Sequence, residues 1–254
     1  MTENRLVSAA GTGAAAKVRR LLDGGAAPDQ PDDGGTTALY RAAVQGNADI
    51  VRMLLAAGAE PDRESEGESE GLPLCAAASW GHLGTVVALL EGGADPDRTE
   101  GPGRQAMSAL HWAAAKDFPA VVAALLDRNA DPDLRDGAGG TALTHAARYG
   151  SAAVVSMLLD HGADPAVADE QERLPIDLAR EFADRDIEAV VHDRALEYAT
   201  EGARITVRRE ESEGGGERVV AEQRDSSGRL RSESVLGTGH AEIVRLLEAR
   251  PARA

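Results

Sequence analysis

Catalysis or metal binding needs nucleophiles, acids, bases or ligands at workable spacing, and this chain offers few. Six histidines could ligate zinc or act as general bases. Four of them stand at structural positions: His82 and His240 each follow a glycine, His161 precedes Gly162, and His111 lies within the segment Ser108-Ala109-Leu110-His111. Only His145 and His192 remain, which makes a metal site a poor reading. Cys75 is the single cysteine, so no intramolecular disulfide and no CxxC zinc site can form, and it reads as a small buried hydrophobe rather than a reactive thiol. Gly11-Thr12-Gly13 lacks the preceding strand and the lysine of a phosphate-binding loop, so it reads as a turn. No carboxylate pair or nucleophile elbow stands out. The expectation is a protein that is not an enzyme and has no catalytic residue, metal ligand or cofactor.

Composition narrows the partner. Forty-three acidic residues against 27 basic ones give a net charge of -16, which repels phosphate backbones and anionic lipid. A nucleic acid or a membrane is therefore not expected as partner. No apolar run approaches the roughly 18 residues needed to span a bilayer. With the lone cysteine this leads to an expected cytoplasmic location. Only Lys17 and Lys116 are lysine, and with the excess of Ala and Gly this fits a GC-rich bacterial genome.

The elements that would position any site are set by an internal repeat. Thr37-Ala38-Leu39 recurs as Leu72-Pro73-Leu74, Ser108-Ala109-Leu110, Thr141-Ala142-Leu143 and Leu174-Pro175-Ile176, with a degenerate start at Leu6, and the last residues step by 33, 35, 36, 33 and 33. A second marker, Gly25-Ala26, Gly58-Ala59, Gly93-Ala94, Asn129-Ala130 and Gly162-Ala163, steps by 33, 35, 36 and 33. The span from Leu to Ala stays at 20 residues, so all extra length falls in one connecting loop. Insertions inside a packed helix would rotate its apolar face, so this spacing reads as a helix pair joined to the next by a variable loop. Thr37, Ser108 and Thr141 can cap the first helix, and Pro73 and Pro175 suit its first turn. Alanine pairs such as Ala42-Ala43 and Ala146-Ala147 allow close helix approach, and the glycines end the second helix.

These residues resemble the ankyrin repeat, whose signature contains Thr-Pro-Leu-His-x-Ala; Ser108-Ala109-Leu110-His111-Trp112-Ala113 is a close copy. Gly81-His82, Gly162-Ala163-Asp164-Pro165 and Gly239-His240-Ala241-Glu242-Ile243-Val244-Arg245-Leu246-Leu247 are similar to the same family. The resemblance implies an all-α repeat solenoid over residues 1–200, a stack of helix-turn-helix units starting near 4, 37, 72, 108, 141 and 174. It also implies that His111 hydrogen-bonds between neighbouring repeats.

The last unit departs from the pattern. Ile187 lies 11 residues after Ile176, as Ile50 lies 11 after Leu39, which places a second helix in register. This helix then runs on through Val190, Val191, Ala195, Leu196 and Tyr198. Residues 201–236 switch to strand-like alternation separated by Gly214-Gly215-Gly216 and Ser226-Ser227-Gly228, which predicts a β-hairpin or meander. Residues 237–254 then supply a capping helix and tail.

Seven aromatic residues exist, and Trp80, Tyr149 and Phe182 share one position, six residues after the signature Leu74, Leu143 and Ile176; Gln45 and Lys116 hold it elsewhere. The resemblance implies that this helix end faces a concave groove beside the loop tips, where partners bind. Candidate partner contacts are therefore Gln45, Ser79, Trp80, Lys116, Arg148, Tyr149, Glu181 and Phe182, together with the acidic loop residues Glu64, Glu66, Glu68 and Glu70. The expected function is a protein-interaction module, acting as scaffold, regulator or inhibitor, whose partner is another protein with a basic or mixed-charge surface. The alternative is an enzyme or small-ligand protein with a pocket between the groove and the C-terminal hairpin, using His145, Tyr149, Asp177 and Glu181.

Overall fold

The computed structural model describes residues 5–66, 71–101, 106–197, 199, 203–213, 215–225 and 227–250. Twelve helices come first among the described residues: α1 Arg5–Gly11, α2 Ala15–Asp23, α3 Ala38–Val44, α4 Ala48–Ala56, α5 Pro73–Ser79, α6 Leu83–Glu91, α7 Ala109–Ala115, α8 Pro119–Leu126, α9 Ala142–Tyr149, α10 Ala152–Asp160, α11 Pro175–Ala183 and α12 Ile187–Glu197. Strands β1 Arg204–Glu211, β2 Glu217–Arg224 and β3 Leu230–Gly237 form an antiparallel meander, and α13 His240–Glu248 follows. The fold is an all-α repeat solenoid with a small three-stranded sheet. No helix among the described residues is long and apolar enough to cross a membrane.

Local chemistry explains the helix boundaries. Thr37 and Thr141 accept backbone N–H groups of Tyr40 and Thr144, and Pro73 and Pro175 occupy first turns. Gly58, Gly93 and Gly162 take the left-handed conformation after the second helices; Asn129, at φ 62°, holds the same position in the fourth repeat. Asparagine is the side chain that tolerates this region best after glycine.

The chain divides into two compact bodies, Met1–Ala113 with Ala120–Gly137, and Ala114–Pro119 with Ala138–Ala254. In the first, α1, α3 and α5 lie side by side, as do α2, α4 and α6. Ala42, Ala43, Ala77, Ala78 and Ala113 are fully buried at these helix approaches. Loop-tip carboxylates tie successive repeats. Asp29 accepts the Glu60 backbone N–H at 3.1 Å, Asp62 accepts that of Asp95 at 3.1 Å, and Asp97 accepts that of Asp131 at 2.8 Å. Burial pushes the Asp62 and Asp97 carboxyls above their ordinary value, because desolvation and neighbouring carboxylates outweigh the N–H bond each accepts. His111 joins its repeat to the next loop as the resemblance implies, with Nδ1 accepting the Ser108 N–H at 3.1 Å and Nε2 donating to the Leu134 carbonyl at 3.0 Å.

In the second body the structure corrects the pairing expected from the sequence. The second helix packed along α11 is α13, which also lies beside α10; α12 packs on the sheet instead. Ile187, Val191 and Ala195 of α12 join Phe182, Val219, Ala221 and Leu236 in a separate apolar cluster. Residues 184–238 are thus an insertion between the two helices of the last repeat, and Gly239-His240 resumes the pattern that Gly81-His82 shows in an uninterrupted one. His82 Nε2 lies 3.1 Å from the Val44 carbonyl, and His240 Nε2 lies 3.1 Å from the Arg148 carbonyl, the equivalent atom of another repeat. Three glycines make the re-entry possible. Gly239 N–H donates to the Gly150 carbonyl at 3.1 Å, and a Cβ on Gly237 would stand 2.6 Å from the same oxygen.

Two outcomes are expected. Gly237→Ala should destabilise the protein by about 1–3 kcal/mol, since the clash is with backbone that cannot rotate away. Thermal unfolding monitored by circular dichroism measures this, and an unchanged midpoint would mean that the junction is loosely packed. His240 is buried, which lowers its pKa; the Arg148 carbonyl works the other way and Arg194 adds repulsion. As pH falls the unfolded chain takes up the proton first, so the stability present above about pH 6.5 should decline below it, towards the folded-state pKa. Denaturant titrations between pH 7 and 5 should show a shallower decline in His240→Gln than in the parent.

Candidate functional site

Trp80 follows α5 and is 64% exposed, the most exposed of the large hydrophobic residues described. Beside it is a recess of about 80 Å³ lined by Tyr40, Cys75, Ala76, Ser79, Trp80, Glu100 and Trp112. Tyr40 of α3, Trp112 of α7 and Trp80, just after α5, supply the aromatic residues, and the loop before α7 supplies the carboxylate. Glu100 is only 4% exposed and accepts the Trp112 indole N–H at 2.9 Å, which holds both groups at the wall. Its backbone N–H donates to the Met107 carbonyl at 3.0 Å. Glu64 accepts the Gly101 N–H at 3.2 Å, so a second carboxylate stands next to this loop.

The other candidate contacts fall into different settings. Gln45, Lys116, Glu181, Glu64 and Glu66 are exposed, and Ser79 is half-buried with its hydroxyl donating to the Ala76 carbonyl at 2.9 Å. Glu68 and Glu70 lie outside the described residues. Arg148 is half-buried, 3.7 Å from the Asp169 carboxylate. Burial raises the pKa of Asp169, but the two hydrogen bonds from the Arg173 guanidinium, at 2.7 and 2.9 Å, outweigh it and leave the carboxyl below its ordinary value.

Phe182 departs from the expectation of an exposed rim aromatic. It is 4% exposed, under the cluster formed by α12 and the sheet, with Arg185 and Arg194 over its ring at 5.5 and 5.3 Å and the His240 ring at 5.2 Å. Tyr149 is half-buried against the same cluster. In this repeat the insertion covers the position whose counterpart, Trp80, is exposed in its own repeat. A position read from the repeat alone cannot register this cover, because the covering residues are outside the repeat.

The sheet itself has little unmatched charge. Its apolar side, with Ile205, Val207, Val219, Ala221 and Leu236, meets α12, while Arg208 pairs with Glu222, Arg218 with Glu210 at 2.6 Å and Arg231 with Asp225 at 2.7 Å. Asp225 is pushed down to about 2, first by the Ser227 hydroxyl and then by backbone N–H groups and Arg231. A larger recess of about 460 Å³ lies where the β1–β2 turn meets the starts of α10 and α13, lined by Ser151, Ser156, Ser212, Glu217, Glu242 and Arg245 among others. None of His145, Tyr149, Asp177 or Glu181 lines it; the Asp177 carboxylate instead accepts the Leu174 N–H at 3.1 Å. No group of three His, Cys, Asp or Glu among the described residues is placed to hold a metal.

Tyr40, Trp112 and Glu100 were not singled out from the sequence. The signal available was scarcity: both tryptophans of the chain, together with one of its three tyrosines, converge here. Glu100 sits in a loop of variable length and gave no signal.

Comparison with known proteins agrees with this architecture. The family model for ankyrin repeats (3 copies) matches residues 2–65 and 74–169. The crystal structure of EF0377, an ankyrin repeat protein, superposes with a TM-score of 0.63 at 26% identity, over 71% of this chain and 92% of that one. No curated protein matches the sequence. The repeat length, the capped helix pairs, the loop-to-loop hydrogen bonds and the family match together place this chain in the ankyrin repeat family.

Proposed function

We propose that this chain is a protein-interaction module of the scaffold, regulator or inhibitor kind, working in the cytoplasm of a bacterium, and that it grips a protein partner around Trp80. The observation that carries the reading is Trp80 itself: a tryptophan left 64% exposed at a helix end, beside an aromatic recess, in a protein that holds few aromatic residues. Exposed tryptophan is costly to leave in water and is the residue most enriched where interface energy concentrates. Gln45 and Ser79, with Glu64 and Glu66 at the loops, supply the polar surround of this contact. Lys116, Arg148, Tyr149 and Glu181 are secondary contacts, and Phe182 contributes only by holding the insertion in place.

Charge supports a protein partner with a basic or mixed-charge surface. A net charge of -16 disfavours phosphate backbones and anionic lipid. The enzyme alternative has no comparable support, since its four polar residues do not converge on the larger recess.

The test is capture from a native cytoplasmic extract with the full chain as bait, followed by affinity measurement on the purified partner. Trp80→Ala should weaken that partner by more than about 2 kcal/mol while leaving the melting temperature nearly unchanged. Equal affinity for Trp80→Ala and the parent would place the recognition surface elsewhere.

A further inference from the structure

We propose that His240 is a pH-sensitive latch for the insertion: a proton on its second ring nitrogen loosens α12 and the sheet from the last repeat and uncovers Phe182 and Tyr149. These two residues hold, in their repeats, the position that Trp80 holds in its own. The inference stands apart from the reading of Trp80 as a partner contact.

Hydrogen bonding fixes the state of the ring. A carbonyl only accepts, so Nε2, 3.1 Å from the Arg148 carbonyl oxygen, carries the hydrogen, and in the neutral ring Nδ1 is left with a lone pair. Nδ1 is buried and has no hydrogen-bond partner among the described residues. The neutral ring thus leaves one acceptor unused, whereas the protonated ring would bury a charged N–H donor that nothing accepts, a far larger penalty. A Cβ on Gly150 would stand 2.6 Å from the ring's Cε1, so the ring edge already lies against backbone and cannot slip aside. The equivalent His82 is half-buried, while His240 is 1% exposed, with the Phe182 ring 5.2 Å away.

The surrounding charges also oppose a proton. Arg185 and Arg194 already place guanidinium groups 5.5 and 5.3 Å from the centre of the Phe182 ring, which the His240 ring also meets. A third cation on this aromatic side chain would be repelled by both. Carboxylates on the helices packed around α13 are engaged elsewhere or exposed: Asp177 accepts the Leu174 N–H, Asp160 pairs with Arg250 and Glu248 with Arg180, and Glu181 and Glu242 face solvent. On α12, Glu188 pairs with Arg209, and Asp193 and Glu197 are exposed. Arg148 of α9 stands 3.7 Å from Asp169, and Arg245 of α13 is exposed. Burial, with repulsion from Arg194, holds the His240 pKa below its ordinary value, and the Arg148 carbonyl offsets only part of this. Above about pH 6.5 the ring is neutral whether the cover is closed or open. As pH falls below that, the open form takes the proton first, so the closed form loses stability until the closed-form pKa is reached.

Hydrogen–deuterium exchange of the full-length protein, corrected for its intrinsic pH dependence, follows the cover directly. Between about pH 7.5 and about pH 5, protection over α12 and β1 to β3 should fall at least about three-fold, while that over α3 to α6 changes by less. His240→Gln keeps a neutral donor for the Arg148 carbonyl and should flatten this response. His82→Gln, at the equivalent position of an uninterrupted repeat, should leave it intact. Arg194→Gln removes one of the repelling cations and should shrink the response, which gives a second variant should His240→Gln fail to fold. Unchanged protection over the insertion down to about pH 5 would overturn the proposal. So would an equal loss in both bodies, or a loss of the same size in His240→Gln or in Arg194→Gln. A loss confined to α13, with α12 and the sheet still protected, would also overturn it and make His240 an anchor for the final helix alone.

Discussion

Close approach of helices at paired alanines is the constraint on which this structure depends. Ala42-Ala43, Ala77-Ala78 and Ala146-Ala147 are fully excluded from solvent, so the helices at these points are separated by little more than methyl groups. Interiors packed at this density have no room for a ligand and no tolerance for larger side chains. Anything that recognises another molecule must therefore sit at helix ends and in loops. Both recesses obey this rule: one opens beside the end of α5 and the loop before α7, the other at the starts of α10 and α13.

The acidity of the chain has a structural use. Loop backbone N–H groups cannot be satisfied within a helix, and buried ones are costly to leave unpaired. Asp29, Asp62 and Asp97 each supply an acceptor to the following repeat, which converts part of the negative charge into a repeating cross-link. The seven arginines of the sheet are likewise mostly matched on the sheet itself, with Arg208, Arg209, Arg218, Arg224 and Arg231 in ion pairs. Exposed pairs of this type contribute little stability each, but they leave little free positive charge on this face. Fewer carboxylates are left to meet a partner than the composition implies; Glu66 is exposed, while Glu64 already accepts the Gly101 N–H.

Two kinds of information had different visibility in the sequence. Features that recur, such as the signature Leu39 and its copies or the terminal Gly58 and its copies, revealed the repeats, their helix pairs and the loop that varies. Features that occur once were harder to read. Ile187 lies at the correct distance from Ile176, so α12 looked like the missing second helix; only packing shows that α13 fills that place. The motif Gly239-His240 already contained this information, but sequence distance from α11 concealed the pairing. Phe182 kept its repeat position yet was covered by the insertion, and Glu100 reached Trp112 from a loop whose path no periodicity specifies.

Dividing the last repeat around residues 184–238 has a consequence for the order in which the molecule forms. The two helices of each earlier repeat meet across linkers of two or three residues and can close as soon as they are made. Helices α11 and α13 must instead wait until α12 and all three strands have been synthesised, and the ends of this long segment must be brought together at an entropic cost that grows with its length. Until then the apolar faces of α10 and α11 that α13 will cover are open to the nascent chain's surroundings. Pairing of α11 with α13 is thus a contact of large sequence separation, the kind that forms more slowly than local helix pairing.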